Sequence, residues 1–388
     1  MVSRIPLNNV CEKKIETLPP QYAGKIEYID ISSIDNNEKT ICNTQIIDSK
    51  EAPSRAKQLV EIGDVLVSTV RPNLNAVAVI ERESDHVLVA STGYCVLRCC
   101  NGTDNHYIFH FCQSPYFIDD MVRQATGASY PAISNSVVKS CLIPAHNLEE
   151  QRRIASMLDK LSNLISLRKQ QLAKLDELVK ARFVEIFGDP MQNPLEWPIH
   201  QLQEYILFLT SGSRGWAQYF TNSGEYFITI KNVKNCRITL DDVQYVIPPD
   251  NAETKRTKVE EGDLLISITA DLGRTGVITK EIADYGAYIN QHLTCIRLDR
   301  KALHPLYVAY YMESEAGKTQ FQLKNQNGVK AGLNFHAINS LNLMVPPLEK
   351  QNCFVDFVAK VERQKLTIQH SLDKLELLKK SLMQEHFG

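Results

Sequence analysis

The sequence predicts an α+β protein made of two tandem mixed α/β domains, each followed by a long helix. Three observations indicate this fold class. The chain repeats itself after about 200 residues, each copy ends in a long stretch with the apolar spacing of a helix, and shorter apolar runs bounded by turn residues fill the rest. With 388 residues, the chain is long enough for two domains.

The internal repeat is clearest in two pairs of segments. Residues 61–68 read EIGDVLVS where residues 260–267 read EEGDLLIS, and LEEQ at 148–151 matches LEKQ at 348–351. The match then continues at a constant offset through the helical stretches. The repeat therefore predicts the order domain, helix, domain, helix, with equivalent elements in both copies.

The first long helix is expected over 149–187, because this stretch lacks Pro and Gly and is followed by Gly188 and Pro190, a typical helix stop. Apolar residues recur there at alternating steps of three and four, as in a coiled coil, and the second copy repeats the stripe. At 1.5 Å per residue, about 36 residues form a rod of roughly 54 Å. The stripe residues are Ile154, Leu158, Leu161, Ile165, Leu172, Leu175, Val179 and Ile186, then Phe354, Val358, Val361, Ile368, Leu372, Leu375 and Leu382.

Each apolar stripe needs a partner helix. A whole domain separates the two helices in sequence, so we expect them to pair with each other as an antiparallel coiled coil. This pairing would place the domains at opposite ends of the rod, related by a pseudo-two-fold axis. A coiled coil that dimerises the chain is the alternative.

The domain boundaries follow from the repeat and from the helix ends. The domains are expected at 1–148 and 200–348, the helical spacers at 149–188 and 349–388, and a linker at 189–199. Short strands are expected at 64–70, 86–97, 263–269 and 293–298, and shorter helices near 105–124 and 303–323.

The composition is that of a globular protein and argues against several other classes. Charged residues make up 23% of the chain and the formal net charge is −2, which indicates neither a disordered chain nor a strongly basic one. No apolar run has the length of a membrane span and the first residues do not resemble a signal peptide, so the cytoplasm is the expected compartment. The 10 cysteines are therefore expected to be reduced.

One cluster of possible metal ligands can be set aside. It contains Cys99, Cys100, His106, His110 and Cys112, whose spacing matches no standard zinc motif. The repeat places a tyrosine and a methionine opposite His110 and Cys112, so the second copy lacks these ligands. We expect no metal and no cofactor on this chain.

The catalytic motifs in the sequence are incomplete. Pro249-Asp250 and Glu253-Thr254-Lys255 imitate a nuclease signature, but too few residues separate them for the usual pair of strands. Gly317-Lys318-Thr319 imitates a phosphate loop without its leading glycine or its preceding strand. The sequence therefore predicts a non-catalytic protein.

The two copies share a scaffold but differ in two loops. After the shared Gly-Asp strand, residues 69–75 read TVRPNLN and residues 268–274 read ITADLGR. After a second shared glycine, residues 128–131 read ASYP and residues 329–332 read VKAG. Different polar loops on equal scaffolds predict two readers of two different targets, and Arg and Asn can bind guanine and adenine through paired hydrogen bonds.

With this duplicated layout, the segment KLDELVKARFVEIFGD at 174–189 resembles the specificity (S) subunit of type I restriction–modification enzymes. Leu142-Ile143-Pro144 ahead of Glu149-Glu150-Gln151, and TSGSRGW at 210–216, add to a resemblance that covers essentially the whole chain. It implies two target-recognition domains that each read half of a bipartite DNA site, and helical spacers that set the gap between the halves.

The resemblance also implies the partners. These are double-stranded DNA, two methyltransferase subunits docked on the helical spacers, and restriction subunits, with no membrane involved. S-adenosylmethionine would sit on the methyltransferase subunits, and ATP and magnesium on the restriction subunits. Because this chain is slightly acidic, we expect the partner subunits to supply much of the phosphate contact.

The predicted DNA contacts lie in the divergent loops and at the start of the second domain. They are Arg71, Asn73, Asn75, Ser129 and Tyr130 in the first domain, and Ser213, Arg214, Thr269, Arg274, Lys330 and Asn334 in the second. The alternative is a non-catalytic adaptor scaffold of two unlike domains on a coiled coil, without a DNA role. Protein-binding loops of that kind would favour clustered Trp and Tyr, and the chain has only 2 Trp.

Overall fold

The computed structural model describes residues 2–325 and 332–388, which divide into two compact units. The first unit comprises Met1–Leu172 and Thr367–Gly388, and the second comprises Ala173–Leu366. Each long helix therefore contributes residues to both units. The prediction of two mixed α/β domains, each followed by a long helix, is confirmed.

The first unit contains eleven of the described strands, and its fourth helix continues into the second unit. Its strands are β1 (Arg4–Pro6), β2 (Lys25–Ile29), β3 (Ile34–Asp35), β4 (Thr40–Ile41), β5 (Gln45–Asp48), β6 (Ala56–Leu59), β7 (Val65–Ser68), β8 (Val77–Val79), β9 (Val87–Ser91), β10 (Tyr94–Leu97) and β11 (Leu142–Pro144). Its helices are α1 (Asn105–Phe111), α2 (Pro115–Gln124), α3 (Asn135–Ser140) and the first part of α4 (Leu148–Phe187).

The second unit repeats this order with additions. Its strands are β12 (Ile199–Gln201), β13 (Ile206–Ser211), β14 (Phe220–Thr221), β15 (Glu225–Ile228), β16 (Val233–Lys234), β17 (Cys236–Ile238), β18 (Gln244–Val246), β19 (Leu264–Ser267), β20 (Thr275–Val277), β21 (Ala287–Ile289), β22 (Leu293–Leu298) and β23 (Asn342–Met344). Its helices are α5 (Ala252–Thr257), α6 (Lys280–Tyr285), α7 (Pro305–Glu313), α8 (Glu315–Lys324), α9 (Phe335–Asn339) and the first part of α10 (Leu348–Phe387).

The sheets of the two units have corresponding topologies. The order β10-β7-β8 in the first unit corresponds to β22-β19-β20, which forms the centre of a six-stranded sheet in the second. The parallel pair β2 and β9 corresponds to the parallel pair β15 and β21. In both units a short antiparallel pair, β1 with β11 and β12 with β23, joins the first strand of the domain to the strand before the long helix.

The strand that follows the repeated Gly-Asp pair is the centre of each core. All four residues of β7 and all four residues of β19 are buried, which explains their continuous apolar sequence. The predicted strand 86–97 is two strands, β9 and β10, joined by a turn. The helices expected near 105–124 and 303–323 are each two helices. Pro115 disfavours a helical Ser114 at the first break, and Ser314 is the N-cap of α8 at the second.

The aspartate of the Gly-Asp pair is a buried acceptor in both units. The Arg98 guanidinium donates to the two carboxylate oxygens of Asp64 at 2.9 and 2.7 Å, and the Glu61 amide donates to the same carboxylate at 2.9 Å. In the second unit Arg297 donates to Asp263 at 2.9 Å through both contacts. This repeated motif therefore holds the scaffold together.

The glutamine of LEEQ and LEKQ also has a structural role. Its side-chain oxygen accepts a hydrogen bond from the backbone amide of the N-cap residue of α1 or α7. Gln151 accepts from the Asp104 amide at 2.9 Å, and Gln351 accepts from the His304 amide at 2.8 Å. Both glutamines are buried. Each contact ties the start of a long helix to the helix that packs on the central sheet.

The two long helices run antiparallel within each unit. In the second unit the ring of Phe187 lies 5.7 Å from that of Phe354, and further along the pair Asp176 bonds Lys365. In the first unit Ile154 and Leu158 share a core with Met383 and Phe387, and Lys169 lies 3.6 Å from Glu376. The expected antiparallel pairing is therefore present in each unit.

Two polar clusters hold the helices to the globular parts. In the first unit His110 donates to Asp159 at 2.7 Å and His106 donates to the same carboxylate at 3.2 Å. In the second unit Arg237 of β17 pairs with Glu362 of α10.

Among the described residues, no helix is long and apolar enough to cross a membrane.

The histidines of the first cluster titrate in opposite directions. Burial lowers the pKa of His110, whereas the hydrogen bond to Asp159 raises the pKa of His106. Burial opposes ionisation of Asp159, but the hydrogen bonds from both histidines more than compensate and lower its pKa. The two residues once considered as metal ligands therefore bind a carboxylate on α4.

Candidate nucleic-acid interface

The two divergent loops of the first unit lie side by side. Val70, directly after β7, pairs with Ala132 in the loop between α2 and α3. The Arg71 amide donates to the Pro131 carbonyl at 2.7 Å, and two residues further the Ile133 amide donates to the Thr69 carbonyl at 2.9 Å. The sequence predicted that these loops differ between the copies, and the structure shows that they form one surface.

The second unit brings the equivalent loops together in the same way. Thr269 pairs with Gly332, and the Leu333 amide donates to the Ile268 carbonyl at 2.9 Å. The predicted contact Lys330 lies outside the described residues. Both units therefore present the same two loops at equivalent positions of the scaffold, and these loops carry unlike side chains.

Arg71, Ser129 and Tyr130 occur together on the loop surface of the first unit. Arg71 has a left-handed backbone (φ 49°, ψ 61°) and begins a tight turn over Pro72–Leu74. Its guanidinium lies over the Tyr130 ring at 4.8 Å from the ring centre. Tyr130 is 68% exposed and Ser129 is also exposed, so all three side chains are presented to solvent.

The two asparagines of this turn differ in their surroundings. Asn73 is exposed, whereas Asn75 is buried. The Asn75 amide donates to the Cys112 carbonyl at 2.8 Å, and its side-chain oxygen accepts from the Lys39 ammonium at 3.2 Å. Both polar ends of the Asn75 side chain are therefore hydrogen-bonded within the protein, as in a residue that shapes the turn. Whether it contacts DNA stays a prediction.

Ser213 and Arg214 lie in a loop that follows β13. The Ser213 hydroxyl accepts a hydrogen bond from the Trp216 indole at 2.9 Å, and Trp216 packs against Phe227 and Tyr288. The aromatic cluster therefore fixes the loop, while Arg214 next to it is exposed. The cationic side chain of Arg214 is therefore presented to solvent from a rigid loop.

The other predicted contacts of the second unit are partly engaged with the protein. The Thr269 hydroxyl bonds His292 Nδ1 at 2.6 Å, and Arg274 forms an ion pair with Asp271. Asn334 is exposed, but its side-chain oxygen accepts from the Ala337 amide and caps α9. Of this group, Thr269 lies at the meeting point of the two loops.

Sequence reasoning missed a third segment, residues 290–292 between β21 and β22. Asn290 pairs with Ser213, and the Asn290 side chain accepts from the His292 amide at 3.2 Å. This turn thereby connects the Ser213 loop to Thr269. The Gln291 side-chain oxygen is buried and has no hydrogen-bond partner among the described residues. The signal was present in the sequence as a polar Asn-Gln-His run between two apolar strands.

Two copies of one scaffold, each presenting the same pair of loops with different polar residues, define a recognition protein with two unlike reading surfaces. The family model for the type I restriction modification DNA specificity domain matches the chain twice, at residues 5–177 and 205–377. The chain belongs to this family, and recognition of DNA for a type I restriction–modification system is its role.

Known relatives agree with this assignment. The putative type I restriction enzyme MjaX specificity subunit of Methanocaldococcus jannaschii is 22% identical over 92% of this chain and 84% of its own length. The EcoBI specificity subunit of Escherichia coli is 19% identical over 66% of this chain and 58% of its own length.

Solved structures share the fold. A chain from a structure describing assembly and conformational transition of the type I restriction–modification system has a TM-score of 0.62 at 24% identity, over 99% of this chain and 97% of that one. The type I S subunit from M. genitalium has a TM-score of 0.59 at 12% identity, over 100% of this chain and 96% of that one.

Proposed function

We propose that each unit reads one half of a bipartite, gapped DNA site through its two converging loops, and that the chain itself performs no catalysis. The observation that carries this proposal is the equivalent placement of the loops. Thr69 with Ile133 and Ile268 with Leu333 form the same backbone hydrogen bond in the two units, while the side chains around them differ. Equal frames with unlike polar side chains suit two different half-sites.

The polar ties to the helices support the spacer part of the proposal. In the first unit Asp159 of α4 holds His106 and His110 of α1, and in the second Arg237 of β17 pairs with Glu362 of α10. Lys365 has only 14% of its side chain exposed and bonds Asp176 across the helix pair. A charged pair among apolar layers favours one register over others, which suits a spacer of fixed length.

The partner subunits belong to the same proposal. The long helices carry exposed leucines, among them Leu167 at 55% and Leu366 at 67% exposure. Apolar side chains on solvent-facing helix surfaces suit docking of two methyltransferase subunits, to which restriction subunits would add. S-adenosylmethionine would bind the methyltransferase subunits, and ATP and magnesium the restriction subunits. None of these cofactors would bind this chain.

Modified-base sequencing tests the proposal. DNA from cells that express this chain with its methyltransferase subunit is compared with DNA from cells that express the methyltransferase subunit alone. A bipartite methylated motif with a fixed gap that depends on this chain is the expected result. Absence of any dependent motif, together with failure to co-purify with the methyltransferase, would favour the adaptor scaffold.

A variant in the same experiment tests the loop assignment. Arg71→Ala should relax one position of one half-site, since a paired contact to a base is worth about 1–3 kcal/mol. The matched control is Arg123→Ala, which removes an exposed arginine from α2 of the same unit. An unchanged motif in Arg71→Ala would remove Arg71 from the reading surface.

A further inference from the structure

A groove of about 770 Å³ lies next to Arg71 and Tyr130 in the first unit. Its polar lining includes Arg55, Asn36 and Ser32, none of which was among the predicted DNA contacts. The remaining lining is largely apolar, with Val70 and Leu74 among its residues. The groove thus extends the loop surface towards the segment that precedes β6.

The charge of this groove is unusual for the chain. Among the residues that the structure describes, no Asp or Glu lines it, and two arginines do. The guanidiniums of Arg55 and Arg71 form no ion pair with a described carboxylate. Unpaired guanidiniums on an acid-free surface attract a polyanion and keep their donors available for it.

A second groove in the same unit provides the contrast. It is lined by the carboxylates of Glu27, Glu38, Glu81, Asp159 and Glu376, together with a similar number of cationic groups. Its arginine, Arg82, is paired with Glu27. Charge therefore distinguishes the two grooves: among their described lining residues, positive charge is balanced in the second groove and exceeds negative charge in the groove beside the divergent loops.

The backbone of Arg55 is fixed at the groove. Its carbonyl accepts a hydrogen bond from the Thr92 amide at 2.8 Å, which anchors the residue to the turn between β9 and β10. The Arg55 side chain is exposed. The anchored backbone fixes the point from which the guanidinium reaches out, so only the side chain of Arg55 has to become ordered on binding.

We infer that Arg55 is a base-reading residue of the first unit and that it contacts a guanine in the half-site which this unit recognises. This inference rests on the proposed function. Arginine binds the O6 and N7 acceptors of guanine through two parallel hydrogen bonds, the commonest specific contact in the major groove. Arg71 and Tyr130 also line this groove and stack on each other. The apolar residues of the lining could pack against the apolar edges of neighbouring bases.

The test selects random-sequence duplex DNA with the full chain in complex with its methyltransferase subunit. Three variants are compared with the wild type: Arg55→Ala, Arg55→Lys, and the control Arg123→Ala, which removes an exposed arginine from α2 of the same unit. In Arg55→Ala the preference for guanine at one position of one half-site should fall by about 5- to 150-fold, the range expected for a paired base contact. The other half-site and the gap should not change, and Arg123→Ala should select the wild-type motif.

The lysine variant separates a base contact from a phosphate contact. Lysine keeps the charge but lacks the planar pair of donors, so Arg55→Lys should bind about as tightly as the wild type but lose part of the guanine preference. If Arg55→Ala instead weakens binding uniformly and Arg55→Lys restores it, Arg55 contacts phosphate and the inference is wrong. An identical motif in Arg55→Ala would also overturn it, whereas failure of the wild type to select any motif would overturn the proposed function itself. Thermal melting of each variant confirms that the exposed substitution leaves the fold intact.

Discussion

The buried pair of Asp64 and Arg98 gives the sharpest prediction about the scaffold. Asp64 has 1% of its side chain exposed and Arg98 has 19%, and the two residues are joined by a pair of charge-assisted hydrogen bonds. Asp64→Ala removes the buried carboxylate and leaves the largely buried guanidinium with only the exposed carboxylate of Glu61, 3.1 Å from its Nε, as an ionic partner. The Glu61 amide also loses its acceptor.

The expected loss follows from the geometry. Breaking one partner of a buried ion pair costs about 3–5 kcal/mol, and the partial exposure of Arg98 places this case near the lower value. For a unit of this size, about 3 kcal/mol lowers the melting temperature by roughly 6–12 °C. Differential scanning calorimetry of the full chain measures it. Asp263→Ala should have a similar effect in the second unit, because Arg297 and Asp263 form the same arrangement.

Two further variants decide whether the loss of the buried partner of Arg98 is the cause. Arg98→Met in the Asp64→Ala background removes the guanidinium that has lost its buried partner and should recover part of the lost stability. Glu150→Ala breaks an exposed pair with Arg153 and should leave the melting temperature essentially unchanged. If Asp64→Ala melts like the wild type, or if the double variant melts lower than Asp64→Ala, the interpretation of this pair is wrong.

Two other predictions concern the helix ends and the pH dependence of stability. Phe387→Ala should destabilise the first unit and Phe187→Ala the second, each by about 3–5 kcal/mol, because both rings are fully buried. Hydrogen exchange measured separately for each unit checks this. Loss of protection in the opposite unit would contradict it. Burial, with the nearby Lys379 charge, lowers the pKa of Lys39 to about 8, so the folded state releases this proton before the unfolded state does. The free energy of unfolding should therefore rise between about pH 8 and pH 10.5. Denaturant titrations at several pH values should show a smaller rise in Lys39→Gln. The same pH profile in the variant and the wild type would refute the lowered pKa of Lys39.

The sequence predicted the parts of the fold that depend on repetition and periodicity. The helix over 149–187 is α4 to within one residue, and the strand expected at 293–298 is β22. The helix expected near 105–124 is two helices, although Pro115 already marked the break. Periodicity extends over such a break, so only the proline could have located it.

The candidate site was predicted less completely, because the sequence does not show which loop side chains point to solvent and which are buried. The loops could be found because they differ between the copies, but the burial of Asn75 follows from its left-handed backbone and from its contact with Cys112, neither of which has a sequence signature. Arg55 precedes the repeated segment 61–68 but belongs to no repeated motif, and the Thr92 amide anchors its carbonyl beside the groove. Long-range packing determines both placements, which is why local patterns missed them.

The residues that repeat between the two units and the residues that differ have separate physical roles. Tyr107 and Tyr307 are buried, and their hydroxyls donate to the carbonyls of Pro144 and Met344 at 3.0 and 2.9 Å, directly before the long helices. Such contacts carry stability without reaching the loop surface.

The loop residues contribute the opposite property. Arg71 and Arg214 are exposed, and Tyr130 is mostly so. Substitutions at exposed positions of this kind usually change stability by no more than about 0.5 kcal/mol. A scaffold whose stability resides in buried repeated contacts therefore tolerates new loop side chains, and the two halves of the chain can specify different sequences while they fold in the same way.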